Sequence, residues 1–406
     1  MDFQQIFASR NARMKASEIR ELLKILERPG IISFAGGIPD PEMFPAEAFQ
    51  AAYQDALRPE TQSTALQYSV SEGYLPLREW LAGQMAKLGI SCGPENILIT
   101  SGSQQALDYL GKLFLSPNDT ALINWPTYLG ALGAFNAYEP RYDRLRVNGN
   151  RAAADYAAEA EAAGGRVKFA YLSADFANPT GETVNQRGRE NVLALAEELD
   201  CAVIEDAAYQ SLRYDGDAIA PILATEMAEK GDINACRTVY CGSFSKTLSP
   251  GLRVGWVCAA APVISQLVLL KQAGDLHSST VNQMAIHHVA EREFDAHVAK
   301  LHDTYSGRRD AMLTALQIHM PDGVTWTRPE GGMFVWITLP VGLDGADLLQ
   351  RALETVMVAF VPGRAFFADG SGENTIRLSF SCADAKTIDE GVRRLASVVK
   401  AEMANQ

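Results

Sequence analysis

The chain of 406 residues is 47% hydrophobic and 21% charged, which is typical of a globular protein with a large domain and a smaller companion. Its 36 basic and 49 acidic side chains give a formal net charge of -13, which argues against nucleic acid or an anionic membrane surface as a partner. The six cysteines are scattered, without a C-x-x-C pair or a histidine spacing typical of zinc, so we predict no metal site and no disulfide framework.

The N-terminal sequence gives no indication of export or membrane insertion. Residues 1–7 lack a basic region followed by an apolar core. No uninterrupted apolar run reaches the length of a membrane span. We therefore predict a cytoplasmic protein.

The first predicted element is a helix near the N-terminus. Its apolar side chains recur at helical spacing, at Ile19, Leu22, Leu23 and Ile25. Pro29 and Gly30 end this pattern, and Arg20 lies within it, where it could be a solvated charge. The pair Gly36-Gly37 lets the backbone approach a ligand closely, although such a pair is also common in ordinary turns. Tyr68 follows and could be a core or interface aromatic.

Two short apolar strands are then predicted, each followed by a polar or aromatic segment. The run Ile97–Thr100 turns through Gly102 into a helix that begins near Ser103. A helix N-terminus has unpaired N–H groups and a positive dipole end, so it favours a phosphate, although Ser103 could equally be a plain N-cap. The second strand begins at Ala121 and leads to Tyr128, a flat side chain at a strand end.

The next two predicted strands also end in polar residues. The strand at 169–173 leads to Asn178 in the turn sequence Asn-Pro-Thr-Gly. The near-continuous apolar run at 201–206, typical of a strand buried in a parallel sheet, ends in Asp206, with Tyr209 three residues later. Asp206 could also be no more than a cap for the next helix.

The most specific motif follows the apolar run at 238–241. It contains Ser243, Ser245, Lys246 and Arg253. A lysine just after a buried strand has little water around it, which disfavours its charged form and frees the amine as a nucleophile. Two hydroxyls and a guanidinium suit a phosphate dianion. An amine beside a phosphate site is what an imine with pyridoxal phosphate requires.

The C-terminal third changes in pattern. Residues 259–300 are predicted to be helical, and their histidines lack the H-E-x-x-H spacing of a zinc site. Strand-like runs and helices then predict a smaller α+β domain. Arg377 lies inside an apolar strand, where an unpaired guanidinium is costly, so it needs an anion. A substrate carboxylate or a structural salt bridge would both provide one.

These motifs together resemble the fold-type I pyridoxal-phosphate enzymes, in the class I and II aminotransferase branch. The segment 243–253 is similar to the cofactor-lysine motif, and segments 16–23 and 32–39 resemble the 2-aminoadipate and kynurenine aminotransferase subgroup. The resemblance implies an α/β fold, with a large doubly wound, mostly parallel sheet domain at 47–285 and a smaller α+β domain from 1–46 and 286–406.

The resemblance also implies pyridoxal 5'-phosphate as the cofactor and assigns residues to it. Lys246, Asp206 and Tyr209 would be the catalytic residues, with Asp206 keeping the ring nitrogen protonated. Tyr128 would stack on the ring, and Asn178 and Tyr209 would bond to its phenolic oxygen. The predicted cofactor-binding residues are Ser103, Gln104, Tyr128, Asn178, Asp206, Tyr209, Ser243, Ser245, Lys246 and Arg253, joined by Tyr68 from the neighbouring subunit of a homodimer with shared active sites.

Four residues are assigned to the substrate by the same resemblance. Arg377 would hold the α-carboxylate as a bidentate pair, with Asn178 and Gly37 beside it. Arg20 would meet a distal carboxylate from the N-terminal helix.

The predicted reaction is amino transfer from 2-aminoadipate, kynurenine, aromatic or branched-chain amino acids to a 2-oxo acid such as 2-oxoglutarate. A β-lyase or decarboxylase on the same scaffold is the enzymatic alternative. The non-enzymatic alternative is a regulator with an aminotransferase-like ligand-sensing domain. Such regulators carry a basic DNA-binding module ahead of that domain. We do not expect one here, because the chain is acidic and barely a dozen residues precede the first helix.

Overall fold

The computed structural model describes residues 3–14 and 30–405. Its described residues form thirteen strands: β1 (Ile32–Ser33), β2 (Ile97–Thr100), β3 (Thr120–Ile123), β4 (Arg141–Arg144), β5 (Val167–Leu172), β6 (Ala202–Asp206), β7 (Thr238–Ser243), β8 (Gly255–Cys258), β9 (Thr325–Trp326), β10 (Phe334–Thr338), β11 (Val358–Ala359), β12 (Val361–Pro362) and β13 (Thr375–Ser379).

The α-helices of the described residues are Ala46–Ala56, Gln62–Leu66, Leu75–Lys87, Ser103–Phe114, Leu129–Asn136, Ala153–Ala162, Gln186–Glu198, Ile222–Lys230, Ala261–Gly274, Thr280–His319, Gly345–Thr355 and Ala385–Ala404. Short 3₁₀ helices occupy Phe3–Ile6, Ser9–Arg13, Pro41–Met43, Pro94–Asn96, Ile233–Ala235 and Gly363–Phe366. Among these residues, no helix is both long enough and apolar enough to cross a membrane.

The larger sheet has seven strands in the order β2-β8-β7-β6-β5-β3-β4. Its strands β4, β3, β5, β6 and β7 pair in parallel, whereas β8 is antiparallel to both of its neighbours, β7 and β2. Because β8 reverses the direction twice, β2 runs the same way as the parallel strands. This arrangement confirms the mostly parallel sheet that the sequence predicts.

Alternate residues of these buried strands supply two apolar faces. In β2, Leu98 packs on one face of the sheet, whereas Ile97 and Ile99 pack on the other. The first face is covered by helices Ser103–Phe114, Leu129–Asn136 and Ala261–Gly274. The second is covered by helices Leu75–Lys87, Ala153–Ala162, Gln186–Glu198 and Ile222–Lys230. Helices on both faces confirm the doubly wound α/β architecture.

The C-terminal part is built on a separate sheet of order β12-β13-β10-β9. Its pairs are antiparallel, and Arg377 in β13 lies opposite Trp336 of β10 and Val361 of β12. The N-terminal strand β1 pairs in parallel with β11, which ties residues 32–33 to this part. A core of its own fills the space between these strands and helices 280–319 and 385–404.

One helix, Thr280–His319, runs for 40 residues without interruption. The domain limit that we predict at 285/286 falls within its first two turns. Its N-terminal half contributes Ala285, Ile286 and Val289 to the core beside the large sheet. Its C-terminal half contributes Met312 and Leu316 to the core of the smaller sheet.

The carboxyl ends of the strands in the large sheet place several predicted residues at one edge. Strands β2, β3, β5, β6 and β7 all end there, because they run in the same direction. The predicted site residues that end or follow these strands are Ser103, Tyr128, Asn178, Asp206, Tyr209, Ser243, Ser245 and Lys246.

Candidate functional site

Lys246 lies in the turn after β7, enclosed at the edge of the large sheet. Its Nζ donates to the carbonyl oxygen of Gly37 at 2.9 Å and lies 5.6 Å from the centre of the Tyr209 ring. Burial, together with the positive charges of Arg377 and Arg253, lowers the pKa of Lys246 to about 8. A larger share of this amine is therefore neutral than in an exposed lysine, as the sequence predicts for a nucleophile.

Asp206 is the last residue of β6 and is buried. One carboxylate oxygen accepts a hydrogen bond from the hydroxyl of Tyr171 at 2.8 Å, and the other accepts from the backbone N–H of Ala208 at 3.3 Å. Burial raises the pKa of Asp206, while Tyr171, Ala208 and the charge of Lys246 act in the opposite direction. The carboxylate is thus held in one orientation at the strand end.

Sequence reasoning missed Tyr171. It lies in β5 opposite Ile204 of the parallel neighbour β6, and strand alternation places Ile204 and Asp206 on the same face. The alternation of side chains along β5 and β6 indicates which residues of each strand share a face of the sheet. The register between two strands joined by a long connection could not be obtained from the sequence.

Arg377 is 1% exposed, in the middle of β13. Its Nη1 donates to Oδ1 of Asn178 and its Nη2 to the carbonyl oxygen of Ala35, both at 2.8 Å. The guanidinium lies 4.3 Å from the centre of the Phe334 ring and 5.1 Å from that of Phe366. Among the residues that the structure describes, the Nε atom is buried without a hydrogen-bond partner. These residues therefore leave three of the five N–H donors of the guanidinium for a ligand.

Within the described part of the chain, Arg377 forms no ion pair with a carboxylate. Burial lowers its pKa to about 10, and the charges that oppose this shift come from Tyr209 and Tyr128, not from an acid. Arg189, which is equally buried, donates to the carboxylate of Asp175 at 2.8 Å. Arg377 is therefore a charged group in need of an anion.

Gly37 lies between the lysine and this arginine. A Cβ atom there would lie 2.9 Å from Cζ of Phe334 and 3.7 Å from Nη2 of Arg377. The carbonyl oxygen of Gly37 accepts from Lys246. Only a residue without a side chain leaves this space open beside both cations.

A second group of side chains surrounds the start of helix Ser103–Phe114. Gly102 has φ = 79°, and a Cβ atom there would collide with the guanidinium of Arg253. Arg253 donates to the carbonyl oxygens of Ser101 at 3.2 Å and Pro250 at 3.1 Å. The glycine lets the arginine approach the helix N-terminus, where backbone N–H groups and a positive charge meet.

The serines of the lysine motif lie next to this helix start. Ser243 pairs with Gly255 across β7 and β8, and a Cβ atom on Gly255 would lie 2.7 Å from the backbone nitrogen of Ser103. The Ser243 hydroxyl accepts from the backbone N–H of Ser245 at 3.1 Å. The structure therefore brings the two serine segments together, although they are far apart in sequence.

The predicted aromatic and amide residues lie around the same space. The Gln104 amide donates to the carbonyl oxygen of Gly130 at 2.7 Å, and Gly130 packs against the ring of Tyr128. The charge of a Tyr128 phenolate would act on Tyr209. Burial raises the pKa of Tyr209, while a hydrogen bond with Asn178 lowers it. The phenol of Tyr209 is thus neutral in the folded protein.

A cavity of about 300 Å³ opens beside Asn178 and Tyr128. Its other walls include Asn124, Ser173 and Thr180. Among the residues that the structure describes, no group of three or more His, Cys, Asp or Glu side chains could hold a metal ion.

Two predicted residues stand apart from this group. Tyr68 is 79% exposed and contacts His277 edge-on, with ring centres 5.9 Å apart. Arg20 lies outside the described residues, so its predicted contact with a distal carboxylate stays a prediction.

Comparison with known proteins identifies close relatives. Residues 31–395 match the family model described as aminotransferase class I and II. The chain is 42% identical over 409 residues to aromatic-amino-acid aminotransferase 1 of Thermococcus litoralis, covering 99% of this chain and 96% of the relative. It is 44% identical over 405 residues to the 2-aminoadipate transaminase of Thermus thermophilus, covering 100% of this chain and 99% of the relative.

A solved structure gives the same likeness in three dimensions. The α-aminoadipate aminotransferase LysN of Thermus thermophilus superposes with a TM-score of 0.88 at 40% identity, covering all of both chains. That protein was crystallised in complex with N-(5'-phosphopyridoxyl)-L-leucine, an adduct of the cofactor with an amino acid.

Proposed function

The chain belongs to the aminotransferase class I and II family, and from this premise we propose that it transfers the amino group of 2-aminoadipate, kynurenine, aromatic or branched-chain amino acids to a 2-oxo acid such as 2-oxoglutarate. It is a pyridoxal-phosphate-dependent aminotransferase of fold type I, and its substrates are small molecules.

We infer the proposed site from the position of Arg377 relative to Lys246. The buried guanidinium of Arg377, which has no carboxylate partner among the described residues, lies beside Gly37, and the carbonyl oxygen of Gly37 contacts Lys246. A substrate α-carboxylate on Arg377 would therefore bring the substrate amine and Cα towards Lys246. Asn178 holds the guanidinium by accepting a hydrogen bond from Nη1.

The residues present fit pyridoxal phosphate. The helix start at Ser103, the hydroxyls of Ser243 and Ser245 and the guanidinium of Arg253 form a donor set suited to the phosphate. The missing side chain at Gly102 keeps that space open. Asp206 at the adjacent strand end suits the ring nitrogen, and Tyr128 suits the flat face of the ring.

The mechanism assigns a task to each of these residues. Pyridoxal phosphate, when bound, would supply an electron-withdrawing ring that stabilises negative charge at the substrate Cα. Lys246 would hold the cofactor through its amine and, as a neutral amine, would take the proton from the substrate Cα as a general base. Its lowered pKa, about 8, suits an amine that must be neutral for both tasks. Asp206, held by Tyr171, would supply a negative charge to the ring nitrogen.

The donor class is proposed from the relatives together with the predicted substrate residues. Relatives at 42% and 44% identity are named for aromatic amino acids and for 2-aminoadipate. We propose that Arg20 meets the distal carboxylate of a dicarboxylic donor, as predicted from the sequence. A separate apolar contact surface would then be needed for aromatic and branched-chain donors.

We propose that the protein acts as a cytoplasmic homodimer. The exposed Tyr68 ring supports the dimer, because an aromatic that is 79% exposed in one chain is suited to a partner surface. In the dimer, Tyr68 would reach the cofactor phosphate of the neighbouring subunit. Sedimentation of the purified protein and cell fractionation test these two statements.

The test of the proposed function is the visible absorption spectrum of the purified protein with bound cofactor. It is titrated separately with 2-aminoadipate, kynurenine, phenylalanine, leucine and alanine. We expect the cofactor band to shift to that of the aminated cofactor with some of these donors, and to be restored by 2-oxoglutarate. The ranking of the half-saturating concentrations identifies the donor class.

Two controls separate the alternatives. Lys246→Ala should lose the covalently held cofactor band, and a normal band in this variant would overturn the assignment of Lys246. Product analysis separates amino transfer from elimination, because a β-lyase releases ammonia and pyruvate whereas a transaminase retains the amino group on the cofactor.

A further inference from the structure

Lys271 is the one lysine in the described part of the chain whose side chain is fully buried. It lies in helix Ala261–Gly274 and is not among the residues assigned to cofactor or substrate. Its Nζ contacts Oε1 of Gln105 at 3.0 Å, Oδ1 of Asp275 at 2.9 Å and Oγ of Ser278 at 2.9 Å. An ammonium has three N–H donors, so these three acceptors saturate it.

Gln105 connects this lysine to the loop between β2 and the following helix. The same Oε1 that accepts from Lys271 also accepts from the backbone N–H of Ser101 at 2.8 Å. The Gln105 amide donates to Oδ2 of Asp275 at 2.7 Å, which fixes its orientation. The Ser101 hydroxyl donates to Asp275 at 3.2 Å and lies 3.1 Å from Oγ of Ser278.

Ser101 in turn contacts the arginine of the phosphate site. Its carbonyl oxygen accepts from Nη2 of Arg253 at 3.2 Å. Its N–H is held through Gln105 and Lys271, and the next two residues are Gly102 and Ser103 at the helix start. One residue, Ser101, thus joins the buried lysine to both halves of the proposed phosphate site through its N–H and its carbonyl oxygen.

We propose that Lys271 is a positioning residue for the cofactor phosphate, acting through Gln105 and Ser101 to hold the 101–103 loop and Arg253 in place. The inference rests on the proposed function, which places the phosphate at this loop. Burying an ammonium costs free energy that an apolar side chain of similar length avoids. The ammonium joins helix Ser103–Phe114 to the loop that contains Asp275 and Ser278, which an apolar side chain could not do.

The experiment compares the affinity of cofactor-free protein for pyridoxal phosphate and for pyridoxal, which lacks the phosphate. Both are followed by the absorbance of the adduct at Lys246. In Lys271→Met, which keeps most of the side-chain length but removes the three donors, we expect the ratio of the two affinities to fall about tenfold or more. The affinity for pyridoxal itself should change little, because the change lies in the phosphate site. An unchanged ratio overturns the inference.

Two further variants distinguish the proposed positioning role from a general loss of stability. Leu267→Ala opens a cavity in the same helix, one turn from Lys271, without touching the network, so it should lower the melting temperature but preserve the affinity ratio. Gln105→Ala removes the relay at a partly exposed position and should lower the ratio even if Lys271→Met does not fold. A normal ratio in Gln105→Ala also overturns the inference.

The wild-type protein separates this inference from the proposed function. If it binds pyridoxal phosphate no better than pyridoxal, the phosphate site itself is misassigned. If it strongly prefers pyridoxal phosphate and both variants keep that preference, the positioning role alone is overturned.

Discussion

At the scale of single residues, Lys246 and Arg377 give the site two cations with different properties. The pKa of Lys246 is lowered to about 8, first by burial and then by the charge of Arg377. The pKa of Arg377 falls to about 10, which still leaves it charged at neutral pH. Arg377 is therefore suited to bind an anion because it stays charged at neutral pH. Lys246 changes between an ammonium and a free amine.

The first prediction concerns the pH dependence of cofactor attachment. Because the neutral amine is the nucleophile and its pKa is lowered, the rate of covalent attachment should rise with pH and level off above about 8. Stopped-flow absorbance on cofactor-free protein measures this rate. Arg377→Leu removes a positive charge and should move the midpoint to higher pH. A wild-type midpoint near 10.5, the value of an ordinary lysine, would contradict the prediction.

The second prediction concerns the carboxylate contact of Arg377. Arg377→Ala should cost roughly 2–5 kcal/mol of transition-state stabilisation, since a buried charged pair is lost. The kcat/KM for the preferred donor gives this value directly. Arg309 is a matched control, because it is also buried but already pairs with Asp215. Arg309→Ala should lower stability with little effect on kcat/KM. Wild-type kcat/KM in Arg377→Ala would refute the assignment.

At the scale of elements, the turn from β2 into helix Ser103–Phe114 shows which features of the fold can be predicted from the sequence. The run Ile97–Thr100 and the glycine after it predict both the strand and the turn. The phosphate-binding role follows from the general properties of a helix start. The contact between Gly102 and Arg253 could not be predicted, because it joins residues in two loops that no local pattern connects.

The third prediction tests that turn. Gly102→Ala should weaken pyridoxal phosphate binding, because the new Cβ collides with Arg253 and φ = 79° is unfavourable for alanine. Gly133→Ala is the matched control, since that glycine lies within helix Leu129–Asn136 with open space around it. It should leave binding unchanged and stabilise the protein by about 1 kcal/mol. Dialysis against limiting cofactor and thermal melts distinguish the two. Equal binding of pyridoxal phosphate by Gly102→Ala and Gly133→Ala would contradict the prediction.

Other contacts of the site could not be predicted from the sequence for the same reason. Tyr171 supports Asp206 from the adjacent strand, and Ala35 and Phe334 hold Arg377 from segments far away in the chain. Each depends on strand register or on packing between the two sheets. By contrast, apolar runs with polar ends predict where Asp206 and Lys246 lie, because that pattern is local.

At the scale of the whole molecule, the long helix Thr280–His319 connects the parts of one chain, whereas the exposed Tyr68 is suited to contact another chain. The helix contributes to the cores of both sheets and so joins them within one chain. The Tyr68 ring contacts His277 but remains largely uncovered. A single chain thus completes its cores but leaves this aromatic available to a second copy.

The fourth prediction tests whether active sites are shared between subunits. Lys246→Ala and Tyr68→Ala chains should each be weakly active alone. When the two are mixed and allowed to form hybrid dimers, each hybrid has one site with both native residues. Random pairing should then restore about a quarter of the wild-type activity per site. Titration of active sites after refolding the mixture measures this fraction, and no recovery would contradict a shared site.

The absence of a counterion at Arg377, among the residues described, has a consequence for the ligand-free enzyme. The described residues supply no carboxylate to this buried positive charge, so a carboxylate that enters the site would neutralise it. Any small carboxylic acid of suitable shape, with or without an amino group, should therefore protect the protein against heat, by linkage between binding and unfolding. Decarboxylated amines should give no such protection. In the proposed site, the fixed end of the substrate would be recognised by charge, which would leave the other end free to vary among donors.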